Sequence, residues 1–401
     1  MNASRAVLSL TEQIFASGFN FLLFLCVARL LSGEELSIFT AMFSLNQSFS
    51  FFLFGLVLFP VSSASGADTP KQIGIALVLL VILLLGFALL APLTTYAFDS
   101  LKDHASLQLW FLSVSFFAGQ CCYEVGRWLC IRLHSVLAAL PVTLFRFTSF
   151  FTALHLLSYW QLNAGHVIVL QTCISLTAVG FYVWLLRGFR HKIAWALPDR
   201  TIFKHLATFG NSVVSFAANF IVVSLVDRGL GGGGLAAFQA IRSATNPIGL
   251  VSQVLDNHFS AEFSRSGQRM GLHKHILLVA VSGAILLFLL SFVFAREITE
   301  ILFAGRFSEY WSLVPLLLLA SLCHAITRPV FVGWRVSNRT KSLNAYSFLV
   351  FMVVTPILLI TGLIGHTYVM IGVFALLPMT ALLIEFLRHP AENRRLTQLK
   401  P

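Results

Sequence analysis

Charge is what this sequence has least of. Only 11% of its 401 residues are Asp, Glu, Lys or Arg, while 57% are hydrophobic; a soluble domain carries roughly 25% charged residues. With a mean hydropathy of +0.85, the chain is too apolar to have water as its main solvent. Acidic groups are the scarcest, 16 against 27 Lys and Arg, giving a net charge of +11. The six cysteines (Cys26, Cys121, Cys122, Cys130, Cys173, Cys323) form no C-x-x-C and have no ligand-like spacing to histidine, so they read as small apolar side chains and no metal site is expected. There is no H-E-x-x-H and no nucleophilic triad. The glycine run 229–234 lacks the Lys-Ser/Thr that a phosphate-cradling loop requires, and it reads as a flexible connector. No soluble segment is large enough to bind ATP. These absences exclude the common enzyme classes, imply no cofactor, and leave an ion gradient or the cargo's own gradient as the energy source.

What the sequence does have is repeated apolar stretches of about 20 residues, the length at which a helix crosses the ~30 Å hydrocarbon core. Closed barrels need alternating segments of about ten residues. The runs 76–90, 279–295 and 348–363 are nearly continuous, so helices are expected. Twelve are predicted, at 8–31, 36–62, 73–97, 106–133, 136–158, 164–187, 205–227, 235–264, 275–297, 309–335, 343–365 and 367–388. The first contains Glu12, Gln13 and Asn20 and has no small-residue cleavage site, so it is expected to stay in the mature protein.

The basic residues alternate. With the N-terminus in the cytoplasm, eighteen Lys and Arg fall in inside segments and five in outside ones (Arg29, Lys102, Arg228, Arg296, Arg306). That asymmetry is the positive-inside pattern, puts both termini in the cytoplasm, and explains the basic balance without nucleic acid. The longest inside connection, 187–204, holds five Lys or Arg and Pro198, and is expected to join an N-terminal six-helix half, 1–195, to a C-terminal one, 196–401. A shift of 199 residues aligns 15–41 with 214–240 without a gap and with nine identities, Asn20/Asn219, Arg29/Arg228 and Gly33/Gly232 among them. Duplication is the reading. Six helices per half gives both halves one orientation, related by an axis along the membrane normal, as in transporters with a site between halves.

The remaining basic residues lie within predicted helices: Arg127, Arg146, Arg242 and Arg328. An ionised side chain at mid-bilayer costs about 2.5–3.5 kcal/mol on insertion scales, so such groups face a bundle interior or a wet cavity. Arg127 stands three residues after Glu124, where the two can neutralise each other. The other three suggest a cationic cavity, because guanidinium forks match phosphate and carboxylate oxygens; pairing of each with a carboxylate is the plain alternative. Arg242, Asn246, Gly249, Gln253 and Asp256 project within roughly 40° of one another on one helix face, beside an expected kink at Pro247. Ser321, His324 and Arg328 share another face. The carboxylates lie mostly near helix ends, Glu12, Glu262 and Glu385 among them, which leaves Glu124 and Asp256 as the deeper pair. Candidate cargo-binding residues are therefore Arg146, Arg242, Arg328, Asn246 and Gln253. Candidates for coupling to H+ or Na+ are Asp256, Glu124 and His324, with His258 and His324 each as readily a packing histidine.

The motifs resemble a known family. Phe19-Asn20-Phe21, then Ala28-Arg29-Leu30-Leu31-Ser32-Gly33-Glu34-Glu35 before Ile38-Phe39, is similar to the opening of polysaccharide-precursor flippases of the multidrug/oligosaccharidyl-lipid/polysaccharide superfamily. Asp227-Arg228-Gly229-Leu230, Ala237-Phe238-Gln239-Ala240, Pro247, and Leu302-Phe303-Ala304-Gly305 before Tyr310-Trp311 are similar to later segments. The resemblance implies an all-α membrane protein of two six-helix bundles in a V. It further implies a flippase for an undecaprenyl-diphosphate-linked oligosaccharide (an O-antigen, exopolysaccharide or capsule repeat unit) in the bacterial inner membrane, working beside a polysaccharide polymerase and a chain-length regulator. A cation-coupled multidrug exporter of the same superfamily is the alternative, and it predicts carboxylates rather than arginines in the cavity. A polytopic glycosyltransferase or polymerase is more distant, since the longest outside loop, roughly 297–309, is short for one.

Overall fold

The computed structural model describes residues 3–58, 69–104, 106–194, 206–266, 285–336 and 340–387; for 246–266 it describes the backbone alone. Among the described residues the chain is helical throughout, with no strand. Among the described residues seven helices are long and apolar enough to cross a membrane, eight if the pair Thr367–Leu376 and Met379–Leu387, bent by 44°, counts as one span. The other predicted spans fall on helices interrupted by charge, on shorter ones, or partly outside the described residues.

The first six helices are α1 (Ala3–Leu30), α2 (Gly33–Phe52, continued by a π-helical stretch Leu53–Leu58), α3 (Thr69–Thr95), α4 (Leu107–Leu133), α5 (Val136–Leu157) and α6 (Ala164–Leu186). Four of their starts, those of α2, α4, α5 and α6, are set by short polar side chains that satisfy otherwise orphaned backbone N–H groups. Ser32 accepts from Glu35 N, Ser106 from Leu109 N, Ser135 from Ala138 N and Asn163 from His166 N. Glu35 reaches across to accept from Ala164 N at 2.6 Å, so the start of α2 also caps α6.

Leu206–Ser266 is continuous except at Gly231, whose φ of 69° and ψ of 178° divide it into α7 (206–230) and α8 (232–266). Only glycine adopts that backbone readily. The break sits where the sequence placed a connector, but the glycines around it continue the helices rather than forming a loop. The residue with non-helical backbone angles in this stretch is Gly231, and those at Pro247 are helical. Beyond lie α9 (285–293), α10 (Ala295–Phe303), α11 (Leu313–Val336), α12 (Thr340–Leu349, with a π-helical Val350–Val354 and Thr355–Leu363) and α13 (Thr367–Leu376). The short α10 occupies the stretch read as an outside loop.

Packing divides the chain into two compact units, 1–240 and 241–401. The division falls inside α8, whereas the sequence places the joint between halves near 195. In the first unit α1 packs on α5, and α4 on both α5 and α6. The α4–α6 contact is close at Gly126, where an added Cβ would lie 2.9 Å from Cδ2 of Tyr182 and 3.2 Å from its Cβ. Tyr182 is fully buried with Tyr123, Cys130 and Ala139, so it has no room to retreat. Gly126→Ala is therefore expected to lower stability by about 1–3 kcal/mol, the usual cost of overpacking, read as an earlier thermal transition in detergent. In the second unit α11 packs on α13, and buried Trp334 donates from Nε1 to Glu385 at 2.8 Å.

Candidate functional site

A buried polar cluster occupies the interior of the first unit. Arg127 of α4 donates from Nη1 to both oxygens of Glu12 on α1, at 3.1 and 3.0 Å, and from Nε to Glu124 at 3.1 Å. Glu12 is 2% exposed and Arg127 6%. Thr143 of α5 donates to Glu12 at 2.9 Å. A hydroxyl has one hydrogen, so Thr143 then accepts from both Tyr123 (3.3 Å) and Tyr182 (3.4 Å). One carboxylate thus ties α1 to α4 and α5, with α6 attached through Tyr182.

The expectation that Glu12 is a carboxylate near a helix end is corrected here. The Glu12 side chain is the more buried, at 3% exposed against 22% for Glu124. Glu12 stands only a few residues inside the predicted first span, which made it look terminal, but α1 begins earlier, at Ala3. Glu124 instead makes the i, i+3 pair with Arg127 that the sequence had allowed, at 3.0 Å.

Arg146 lies one turn beyond Thr143 and is 3% exposed. Its guanidinium carbon sits 4.2 Å from the ring centroid of Phe19 and 4.0 Å from that of Tyr123. Nη2 donates to Gln120 at 2.7 Å, and Nε has no hydrogen-bond partner. Among the described residues no carboxylate forms an ion pair with it. Two aromatic faces are the main compensation for this charge, each worth up to about 2 kcal/mol when desolvated. They leave a fixed cation with an unused N–H.

The second unit holds the other two predicted arginines. The Arg242 guanidinium lies 5.8 Å from the ring of Phe374. Half-buried Arg328 meets exposed His324, one turn before it, at 3.2 Å. Ser321, on the same stripe, donates to Thr245 at 2.8 Å and joins α11 to α8. A cavity of about 170 Å³ in this unit is lined chiefly by apolar side chains, with Thr245 and Ser291 as its polar groups; none of the candidate arginines lines it. The side chains of Asn246, Gln253, Asp256 and His258 lie outside the described residues. No group of three or more His, Cys, Asp or Glu that could hold a metal occurs among the described residues.

No protein-family model matches the sequence, and no curated protein does. Solved structures do match. The inward-facing structure of a multidrug resistance MATE family transporter of the MOP superfamily superposes with a TM-score of 0.56 at 14% identity, over 99% of this chain and 96% of that one. The outward-facing structure of such a transporter gives 0.60 at 12%, over 99% and 96%. This chain has the MATE fold. A mutant of the Vibrio cholerae MATE transporter VcmN matches similarly, with a TM-score of 0.60 at 12% identity over 97% of this chain and 96% of that one. The all-α membrane architecture of about twelve helices expected from the sequence is thus the architecture found, and the MATE fold runs through both compact units. Identity this low speaks to the fold and leaves the cargo to the residues of this chain.

Sequence reasoning found Arg146 as an arginine well inside a predicted helix. It missed Phe19 and Tyr123 as partners of Arg146, because aromatic side chains in an apolar span carry no signal of their own. Glu12 was read as a carboxylate near a helix end and Arg127 as the partner of Glu124, so the Glu12–Arg127 pair was not foreseen.

Proposed function

We propose that this chain is an alternating-access transporter that carries an anionic, lipid-linked oligosaccharide across the bacterial inner membrane, as a flippase for an undecaprenyl-diphosphate-linked repeat unit. The observation that carries the reading is Arg146, a buried guanidinium held by two rings, with a free N–H and no carboxylate partner among the described residues. A diphosphate is a natural acceptor for such a group, since guanidinium–phosphate hydrogen bonds are both charge-assisted and directional. A cationic drug would be repelled. The MATE neighbours described as multidrug transporters support transport in general and make a multidrug exporter the second reading; the buried cation favours the anion.

In this proposal the halves 1–195 and 196–401 are duplicated bundles, both termini are cytoplasmic, and the polyprenyl tail stays in the bilayer while the sugar diphosphate passes inside. Arg242 and Arg328 supply the second half's positive charge, with Asn246 and Gln253 on the same face as Arg242. Coupling to H+ or Na+ falls to Asp256 or His324. Glu124 is a weaker candidate, because it would have to leave Arg127. A polysaccharide polymerase and a chain-length regulator would take the product.

The test is reconstitution into vesicles loaded with a labelled undecaprenyl-diphosphate oligosaccharide, with enzymatic modification of the sugar that reaches the far leaflet. Arg242→Ala with Arg328→Ala is expected to slow delivery about 10- to 100-fold, the loss of one charge-assisted hydrogen bond or more, with the protein still present in the vesicle. Delivery no faster than in protein-free vesicles, together with robust efflux of a cationic dye, would replace this reading with the drug exporter.

A further inference from the structure

Where α6 ends, the chain does not leave the bundle. Arg187–Lys192 forms a 3-10 turn, and two contacts hold this segment against the ends of neighbouring helices. The Phe189 ring meets that of His134, the residue after α4, edge to face at a centroid distance of 5.5 Å. Ala194 N donates to the carbonyl of Pro70 at 3.0 Å, in the first turn of α3. Ile193 N donates to Arg190 O at 3.1 Å and closes the turn. A stretch expected only to join two halves thus begins as a fixed part of the first unit's surface.

That surface is basic and borders an apolar one. Lys71 of α3, Arg132 of α4, and Arg187 and Arg190 of the turn are all exposed. No Asp or Glu occurs at 69–98 or 125–194; Glu124, next to the second stretch, is turned to Arg127, and Asp68 and Asp199 lie outside the described residues. The Arg187 guanidinium carbon sits 5.3 Å from the ring centroid of Trp184, a cation–π contact that gives the charge a fixed place. Trp184 is itself 58% exposed, and Val183 and Phe181 beside it are exposed too. Tryptophan at a helix end is typical of the boundary between headgroups and hydrocarbon. One helical turn therefore separates groups that match phosphate oxygens from groups that match acyl chains.

We infer that this corner of the first unit is a binding site for the headgroup of an anionic phospholipid. Arg187, held over Trp184, and Arg190 take the phosphate, Arg132 and Lys71 add charge around it, and Phe181, Val183 and Trp184 bed the first acyl segments. Basic groups gathered between helix ends on the cytoplasmic side suit such headgroups. Membrane orientation alone asks for charge and no geometry, whereas this turn is fastened to two helix ends and its first arginine to a ring. A free phosphate would leave the apolar half of the surface unused. The proposed orientation decides only which leaflet supplies the lipid, and the site does not depend on the cargo.

The test is native mass spectrometry of the full chain, stripped of lipid in detergent and titrated with phosphatidylglycerol or phosphatidylcholine. Arg187→Gln with Arg190→Gln is expected to weaken phosphatidylglycerol binding about tenfold, the loss of one charge-assisted hydrogen bond, and to leave phosphatidylcholine unchanged. Arg296→Gln with Arg306→Gln, the same change of charge in another part of the chain, is expected to alter neither. Equal weakening by both pairs would reduce the effect to net charge and overturn the site. Arg187→Lys keeps the charge without the planar fork and is expected to lose about threefold. Inorganic phosphate in large excess is expected not to displace the lipid; displacement would leave an anion site and no lipid site. On the unaltered chain, phosphatidylglycerol with a diazirine early in its acyl chain is expected to crosslink within 176–194. Crosslinks confined to other helices overturn the proposal whatever the variants do.

Discussion

Arg127→Met is expected to lower the stability of the protein by about 3–5 kcal/mol, the usual result of leaving a buried charge without its partner. The reason lies in what remains. Among the described residues Glu12 then keeps the Thr143 hydroxyl alone, at 2.9 Å, while its own burial is nearly complete. Glu12→Gln is milder, because Arg127 retains Glu124 on both Nε and Nη2 and the carboxamide oxygen still accepts. The double variant Glu12→Gln with Arg127→Met removes both charges and recovers much of the loss, since a buried pair replaced by neutral groups of similar volume is often close to neutral. Thermal transitions of the purified protein in detergent report all three. Equal destabilisation by the single and double changes would mean that the pair acts through side-chain shape rather than charge, and would sink this account.

Most of this architecture was legible because the bilayer makes the code simple. Backbone groups in hydrocarbon must be satisfied within the segment, so apolar length predicts a helix, and α4, α5 and α6 begin within one residue of where the sequence placed them. Polar caps such as Ser135 and Asn163 marked those starts. What the sequence could not show was which charges meet. Arg127 and Glu12 are 115 residues apart, and nothing local distinguishes Glu124, the pair partner visible at i, i+3, from Glu12, the more buried one. The same blindness applied to Asp227, the last residue of a predicted helix, which is buried against Ser100. The glycine run misled for a different reason. Glycine permits a break but does not require one, and only Gly231 among them takes a backbone that other residues avoid.

Arg146→Met is expected to have the opposite signature to Arg127→Met, with transport falling about 100-fold while stability changes by no more than about 1 kcal/mol or rises. Arg146 gains from two ring faces and from Gln120, but burial of a guanidinium carries a desolvation cost of several kcal/mol, and a methionine in the same space sheds that cost while keeping contact with Phe19 and Tyr123. A buried charge with such a cost marks a functional site rather than a folding element. Arg146→Lys separates charge from shape. The ammonium keeps the positive charge but cannot lie flat between two rings or present a planar fork, so an intermediate rate, about tenfold below the unaltered protein, is expected if both the charge and its fixed direction matter. Vesicle delivery of the labelled sugar diphosphate and detergent melting, measured on the same preparations, give the two axes. If Arg146→Met melts as early as Arg127→Met, the guanidinium belongs to the structural cluster around Glu12, and the argument for an anionic cargo loses its support in the first half of the chain.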